Sequence, residues 1–289
     1  MRYSEKFKRA KTAAVNASVY FCAMIKLNSL FLVLTLLGVL SGCKQNSEQE
    51  EVVIPERQLP PASEVVAKAI EVHGGAAFEA SEISFKFRDF QYRSVQNGGE
   101  FTLDRISHND AIGKITDRVT NAGYTQVLND EFEMDIVDSM KVKYTNSVNS
   151  VHYFARLPYS LDGPAVEQKM IGVDSVRGKA YYEVEVRFKQ EGGGVDFQDI
   201  FVYWFNQQTG TMDYLAYSYE TDGGGIRFRA AQNPREIGGI RFQDYINYKP
   251  SGLDVELKDL DYLYEQGKLI EVSKIELENV EVKSIDNAL

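Results

Sequence analysis

Apolar residues recur at two periods along this chain, and each change of period marks an element. Between Glu64 and His73 the period is helical. Val66, Ala69, Ile70 and His73 share one face, Ser63 stands at the N-cap position, and Gly74-Gly75 ends the helix. The period then becomes two. Ile83, Phe85 and Phe87 alternate with polar neighbours, and beyond Asp89 the phase slips so that Phe90 and Tyr92 carry the apolar side, which predicts a bulge. Asn97-Gly98 predicts a hairpin into a strand around Phe101 and Leu103, followed by short strands over 114–119, 124–128 and 132–137. A helix interrupts over 147–157, with Val148, Val151, His152 and Ala155 on one side and Pro158 as its stop.

Strands return after that helix. Tyr182, Val184, Val186 and Phe188 alternate with Glu183, Glu185 and Arg187, the pattern of a half-exposed strand. Segments 200–205 and 212–219 flank Gln208-Thr209-Gly210 as a hairpin, 226–229 continues the series, and Ile237-Gly238-Gly239-Ile240 turns into 242–248. A short helix over 257–264 ends at Gly267, and one last strand is expected over 269–282. The order helix, strands, helix, strands predicts an α+β fold with a large antiparallel β-sheet. The triplets Gly192-Gly193-Gly194 and Gly223-Gly224-Gly225 follow Glu191 and Asp222 and read as neighbouring loops on one rim of the sheet. Neither opens a helix or carries the Lys-Ser/Thr pair of a phosphate-binding loop.

The N-terminal region follows a different logic. Residues 30–40 form an uncharged apolar run, shorter than the roughly 20 residues a membrane-spanning helix needs, with small residues behind it. Leu40-Ser41-Gly42-Cys43 has the form of a lipobox. Residues 1–42 therefore read as a signal peptide region, with translation beginning at Met24 as the favoured start, cleavage between Gly42 and Cys43, and lipid attached to Cys43. Cys22 would be discarded and no disulfide could form within one mature chain. Residues 43–62, polar, acidic and closed by Pro60-Pro61, read as a disordered tether, and 63–289 as a single globular domain. Cleavage would remove six of the 32 Lys/Arg and one of the 42 Asp/Glu, leaving 26 against 41 and a net charge of −15. So acidic a surface excludes nucleic acid as a partner and leaves lipid as the anchor.

The stretches SEVVAKAIEVHGG, ISFKFRDFQYRS, SVNSVHYFARLPY, FQDIFVYWF, MDYLAYSYETDGGGIRFR and IRFQDYINYKP resemble a bacterial lipoprotein family, domain of unknown function 6503, over about Ser63 to Val282. The element order also resembles the LolA/LppX type of lipoprotein carrier. That second resemblance implies a curved antiparallel half-barrel wrapping a few helices around an apolar cavity. Lys44 after Cys43 is not the aspartate that retains lipoproteins in the inner membrane, so the expected place is the envelope of a Gram-negative bacterium, as an outer-membrane lipoprotein facing either the periplasm or the surface. The arginine on which LolA relies has no assignable counterpart here.

Three functions follow for comparison. The first is a non-catalytic binder or carrier of lipid or another apolar ligand, with Phe201, Tyr203, Tyr217 and Phe228 as candidate cavity residues because they alternate in the central hairpins. The second is an envelope protein–protein interaction module. The third is a hydrolase, for which the residues offer little. His73, His108 and His152 lack metal-binding spacing, no Gly-x-Ser-x-Gly elbow occurs, and no free cysteine remains after processing. Asp199, Asp213, Asp222 and Asp244 with Arg227, Arg229 and Arg241 could gather near the glycine loops, more plausibly as rim salt bridges. No catalytic residue, no metal and no cofactor is expected, and the protein is expected to be a monomer.

Overall fold

Period-two patterning pairs into two sheets rather than one. A computed structural model describes residues 58–192, 197–220 and 223–285. The cleavage site, Cys43 and most of the tether lie outside them. The chain opens with α1 (Ala62–Val72) and a 3-10 turn, Gly75–Phe78. A first set of strands follows: β1 (Ala80–Phe87), β2 (Phe90–Asn97), β3 (Glu100–Asn109), β4 (Gly113–Thr120), β5 (Gly123–Leu128) and β6 (Phe132–Glu133). After α2 (Asp138–Ala155) come β7 (Val166–Val176), β8 (Lys179–Phe188), β9 (Ile200–Asn206), β10 (Met212–Tyr219), β11 (Gly225–Ile237) and β12 (Ile240–Lys249). The short α3 (Leu260–Glu265), β13 (Ile270–Ile275) and β14 (Glu278–Ser284) complete the described chain. Both sheets have seven strands and are antiparallel, in the orders β14-β1-β2-β3-β4-β5-β6 and β13-β12-β11-β10-β9-β8-β7, and neither closes into a barrel.

Four expectations change. The phase slip at Asp89 is a hairpin, not a bulge: Phe87 pairs with Phe90 across Arg88-Asp89, and Arg88 takes a φ of 55°. Ser63 sits inside the first helical turn, since α1 begins after Pro61, whose fixed φ suits a helix entry without a side-chain cap. The interrupting helix begins at Asp138, nine residues before the expected start, because its first half is polar and shows no apolar stripe. The final strand is two strands, one in each sheet, with the crossing at Glu276-Leu277.

That crossing is secured by a buried carboxylate. Strand β11 breaks register between Gln232 and Arg235, where Asn233 has a φ of 46° and Pro234 offers no N–H to the ladder. The bulge sends Arg235 towards Asp244 at 3.0 Å and towards the Leu277 carbonyl at 2.7 Å. Asp244 also accepts the Leu277 N–H at 2.9 Å and the Asn233 amide at 3.3 Å. One carboxylate thus fixes where the backbone leaves the second sheet, and β14 then pairs with β1 from Ser81–Ser284 onward. Gly238, in the β11–β12 turn, packs so close to β14 that a Cβ there would lie 2.7 Å from the Val282 side chain.

Helices cover the sheets on distinct faces. Val65, Val66 and Ala69 of α1 pack with Val184, Val186, Phe201, Tyr203, Phe205 and Leu215 on the inner face of the second sheet. On the opposite face, Leu260 and Tyr264 at α3 pack with Tyr181, Trp204, Tyr214 and Phe228. Helix α2 lies against the first sheet through Val148 between Leu103 and Val119. Arg105, paired to Asp117 at 2.7 Å, reaches Ser147 of this helix.

Replacing Asp244 with Ala should cost about 2–4 kcal/mol in urea unfolding, because Arg235 and the Leu277 N–H lose their acceptor inside the protein. Asp244→Asn, which keeps one acceptor oxygen, should lose less, and equal losses in the two variants would contradict this account.

Candidate functional site

The inner face of the second sheet is largely apolar but carries a polar cross-strand row. Arg229 of β11 is opposite Asn247 of β12, and Asn247 is opposite Ser273 of β13. The Asn247 amide donates to the Ser273 hydroxyl at 3.3 Å. Gln243, two pleats along β12 from Asn247, donates to the Met212 carbonyl at 2.8 Å and to the Tyr245 hydroxyl at 2.9 Å. Burial and the apolar surroundings push the Tyr245 phenol up to about 12, so it remains a neutral donor and acceptor.

This row borders a cavity of about 300 Å³. One wall is the inner face of β10 to β13, with Tyr217, Arg229, Gln243, Tyr245, Asn247 and Ile275. The other is Val151 and Phe154 of α2, with Phe87 and Arg88 at the β1–β2 turn. Leu277, at the crossing between the sheets, closes one side. The Arg229 guanidinium lies 3.8 Å from the centre of the Phe154 ring and donates to the Tyr217 hydroxyl at 2.9 Å. Its Nε, the Gln243 Oε1 and the Asn247 Oδ1 are buried and have no hydrogen-bond partner. Three unsatisfied polar atoms on residues lining one cavity form a ready set of partners for a bound molecule.

Of the four aromatics proposed from sequence, Tyr217 lines the cavity. Phe201 and Tyr203 share its face and support it from behind, stacked at 5.6 Å from Tyr217 and 6.1 Å from each other respectively. Phe228 is on the other side of the sheet. It is opposite Ala216 rather than Tyr217, so the two-residue period turns it towards Trp204, Tyr214 and Tyr264. The residues that sequence reasoning missed are Phe154, Gln243, Asn247 and Ser273. Arg229 had been grouped with the rim charges.

Several members of that rim set are engaged elsewhere. Asp213 accepts Tyr181 and Thr211, Asp244 holds the sheet crossing, and Arg227 stacks on Tyr219. Asp222 lies outside the described residues. The β8–β9 and β10–β11 connections, which carry the glycine triplets, do leave the same end of the second sheet. Gly193 and Gly194 are outside the described residues.

Neither buried histidine joins an acid–base pair. His73 accepts the Met212 N–H at Nε2, and His152 donates from Nε2 to the Asp104 carbonyl at 3.0 Å. Burial, with Arg241 and Arg156 respectively adding repulsion, lowers each to about 3. Each is therefore neutral when folded and takes up a proton on unfolding below about pH 6.5, so folding stability falls as the pH drops from there towards 3. His152→Gln keeps a donor to Asp104 but does not titrate. Between pH 7 and 5 the wild type should lose about 2 kcal/mol more than this variant in urea titrations. Parallel losses would refute a neutral buried His152.

Residues 64–277 match the profile of DUF6503, described as a family of unknown function. No curated protein matches the chain. Among solved structures, a LolA superfamily protein from Nitrosomonas europaea is similar over 78% of this chain and 93% of its own, at 10% identity and a TM-score of 0.43. A DUF1329 family protein from Desulfovibrio piger covers 80% and 95%, at 10% identity and a TM-score of 0.38. The Mycobacterium tuberculosis lipoprotein LppX covers 57% and 91%, at 8% identity and a TM-score of 0.24.

Proposed function

This chain belongs to the DUF6503 family, whose description gives no activity, and we propose from its cavity that it is a non-catalytic binder or carrier of an amphiphilic, lipid-like molecule. The observation that carries this reading is the polar row Arg229–Asn247–Ser273 beside the apolar surface of Val151, Phe154, Ile275 and Leu277 in one cavity. An apolar tail would pack against Phe154, Val151, Tyr217, Ile275 and Leu277, replacing water on surface that gains about 25 cal/mol for each Å² buried. A head with acceptor oxygens would take the free donors of Arg229, and donor groups would satisfy Gln243 and Asn247.

Export and lipid attachment at Cys43 would place this binder at a membrane surface in the cell envelope, with 43–62 as its tether. No helix among the described residues is long and apolar enough to cross a membrane. The apolar and aromatic residues Phe87, Val151, Phe154, Tyr217 and Ile275 that line the cavity support a binding role.

Delipidated full-length protein should take up a fluorescent fatty acid, and native mass spectrometry of gently purified protein should reveal bound lipid. Arg229→Met should weaken uptake about tenfold, the equivalent of ~1.4 kcal/mol. Ala155→Phe, which fills the cavity, should abolish it while leaving the unfolding transition cooperative. Absence of both uptake and co-purified lipid in the wild type would refute the reading. Separately, Cys43→Ser should move the protein from the membrane fraction to the soluble one, and continued membrane retention would count against lipid anchoring there.

A further inference from the structure

On the face of the second sheet opposite the cavity, three carboxylates from distant parts of the chain converge. Asp174 comes from β7, Glu183 from β8 and Asp261 from α3, and one oxygen from each lies within 4.8 Å of the others. Like charges this close repel unless a proton or a cation lies among them. Two of the three are deeply buried, with Glu183 7% and Asp261 2% exposed, while Asp174 opens the cluster to solvent.

Surrounding residues shape the cluster without neutralising it. Asp261 accepts the Trp204 indole N–H at 3.2 Å and its neighbour's backbone N–H at 2.7 Å. These bonds orient the carboxylate but bring no full charge. Glu183 also lies beside the Trp204 indole, yet its Oε1 is buried without a partner. The position opposite Glu183 is Gly172, at a register break in β7. A Cβ at Gly172 would stand 3.1 Å from the Glu183 Oε2, so the missing side chain leaves the room the carboxylate occupies. A buried, unpartnered acid aimed between two others is costly for the fold unless something binds it.

We propose that Asp174, Glu183 and Asp261 form a binding site for a hard divalent cation, calcium foremost, that clamps α3 to the β7–β8 edge. Oxygen-only donors select calcium or magnesium over softer transition metals. The exposed side at Asp174 leaves positions for water, which suits the flexible coordination of calcium. Sequence spacing gave no sign of the site, because its donors are supplied by positions 174, 183 and 261 and meet only through pairing and helix docking.

The test uses the full chain stripped with EDTA and follows thermal unfolding and calorimetric titration at pH 7.5. Calcium chloride at about 10 mM should raise the midpoint by roughly 3–8 °C over sodium chloride of equal ionic strength. Asp174→Asn changes only the exposed ligand and should weaken calcium binding at least tenfold. Glu183→Gln should raise stability in EDTA, by removing a buried acid, and should abolish the calcium increment. No heat of binding and no midpoint shift with calcium, magnesium or manganese in the wild type would overturn the proposal. So would a calcium increment that survives Glu183→Gln and Asp174→Asn unchanged. A wild type that gains stability only on acidification towards pH 5, with no cation effect, would show that a shared proton holds the three acids together.

Discussion

The carboxylate of Asp244 holds the point on which the rest of this architecture depends. The two antiparallel sheets share an apolar cluster, with Ile83, Phe85 and Tyr92 of one against Ile240 and Phe242 of the other, and the chain crosses directly between them over two residues, Glu276 and Leu277. Asp244 fixes the Leu277 N–H, Arg235 fixes the Leu277 carbonyl, and Arg235 is itself aimed by the bulge at Asn233-Pro234. Because β13 pairs with β12 and β14 pairs with β1, this knot brings the start of the domain against its end. The cavity inherits its walls from the same arrangement: Phe87 and Arg88 come with the first sheet, Ser273 and Ile275 with the second, and Leu277 with the knot. A polar interaction of this kind adds little stability by itself, yet it selects one sheet arrangement from many with similar apolar burial.

The buried polar groups divide into two populations. Asp104, Asp117 and Asp244 are saturated: Asp104 takes Arg118 at 2.7 Å, and Asp117 takes Arg105, Tyr124 and Gln126. Such sites are structural, because removing one partner strands the others. A second population of nine residues among those described keeps a buried atom without a partner, and it includes Arg229, Gln243, Asn247 and Glu183. Each unpaired group costs on the order of 1–3 kcal/mol in a folded interior. Three of the nine line one cavity and Glu183 faces two further acids, and these are the places where the proposed ligands would supply the missing partners.

Hairpins were legible in the sequence because alternation and turn residues are local. Asn97-Gly98, Gln208-Thr209-Gly210 and Gly238-Gly239 each fall at a strand connection. Features that depend on a docked neighbour were not. The first half of α2 has no apolar stripe and meets the first sheet through Tyr144, which contacts Arg105 and Tyr124. Glu183 alternates with apolar residues as though solvated, yet α3 and Asp261 cover that face and bury it. Strand β7, half exposed along its length, carries too weak an alternation to stand out. The cavity was readable only through Tyr217. Its polar row requires the register of three strands, which residue types do not encode, and Phe228 was misplaced for want of that register.

The chemistry of Arg229 also narrows what the cavity can hold. A guanidinium carries five N–H donors, and here one nitrogen reaches the Tyr217 hydroxyl while its plane is supported by Phe154 and Tyr217. Stacking leaves the edge of the group free, and the Nε on that edge is unpartnered. A pure hydrocarbon entering the cavity would strip water from this edge and return no hydrogen bond, so much of its apolar gain would be cancelled. A molecule with paired oxygens at one end would meet the planar fork directly and still bury its tail against Val151, Ile275 and Leu277. On the proposed reading, selectivity for an amphiphile over a simple hydrocarbon would follow from where the charge lies. Lysine in the same position would keep the charge but lose both the stacked plane and the fork.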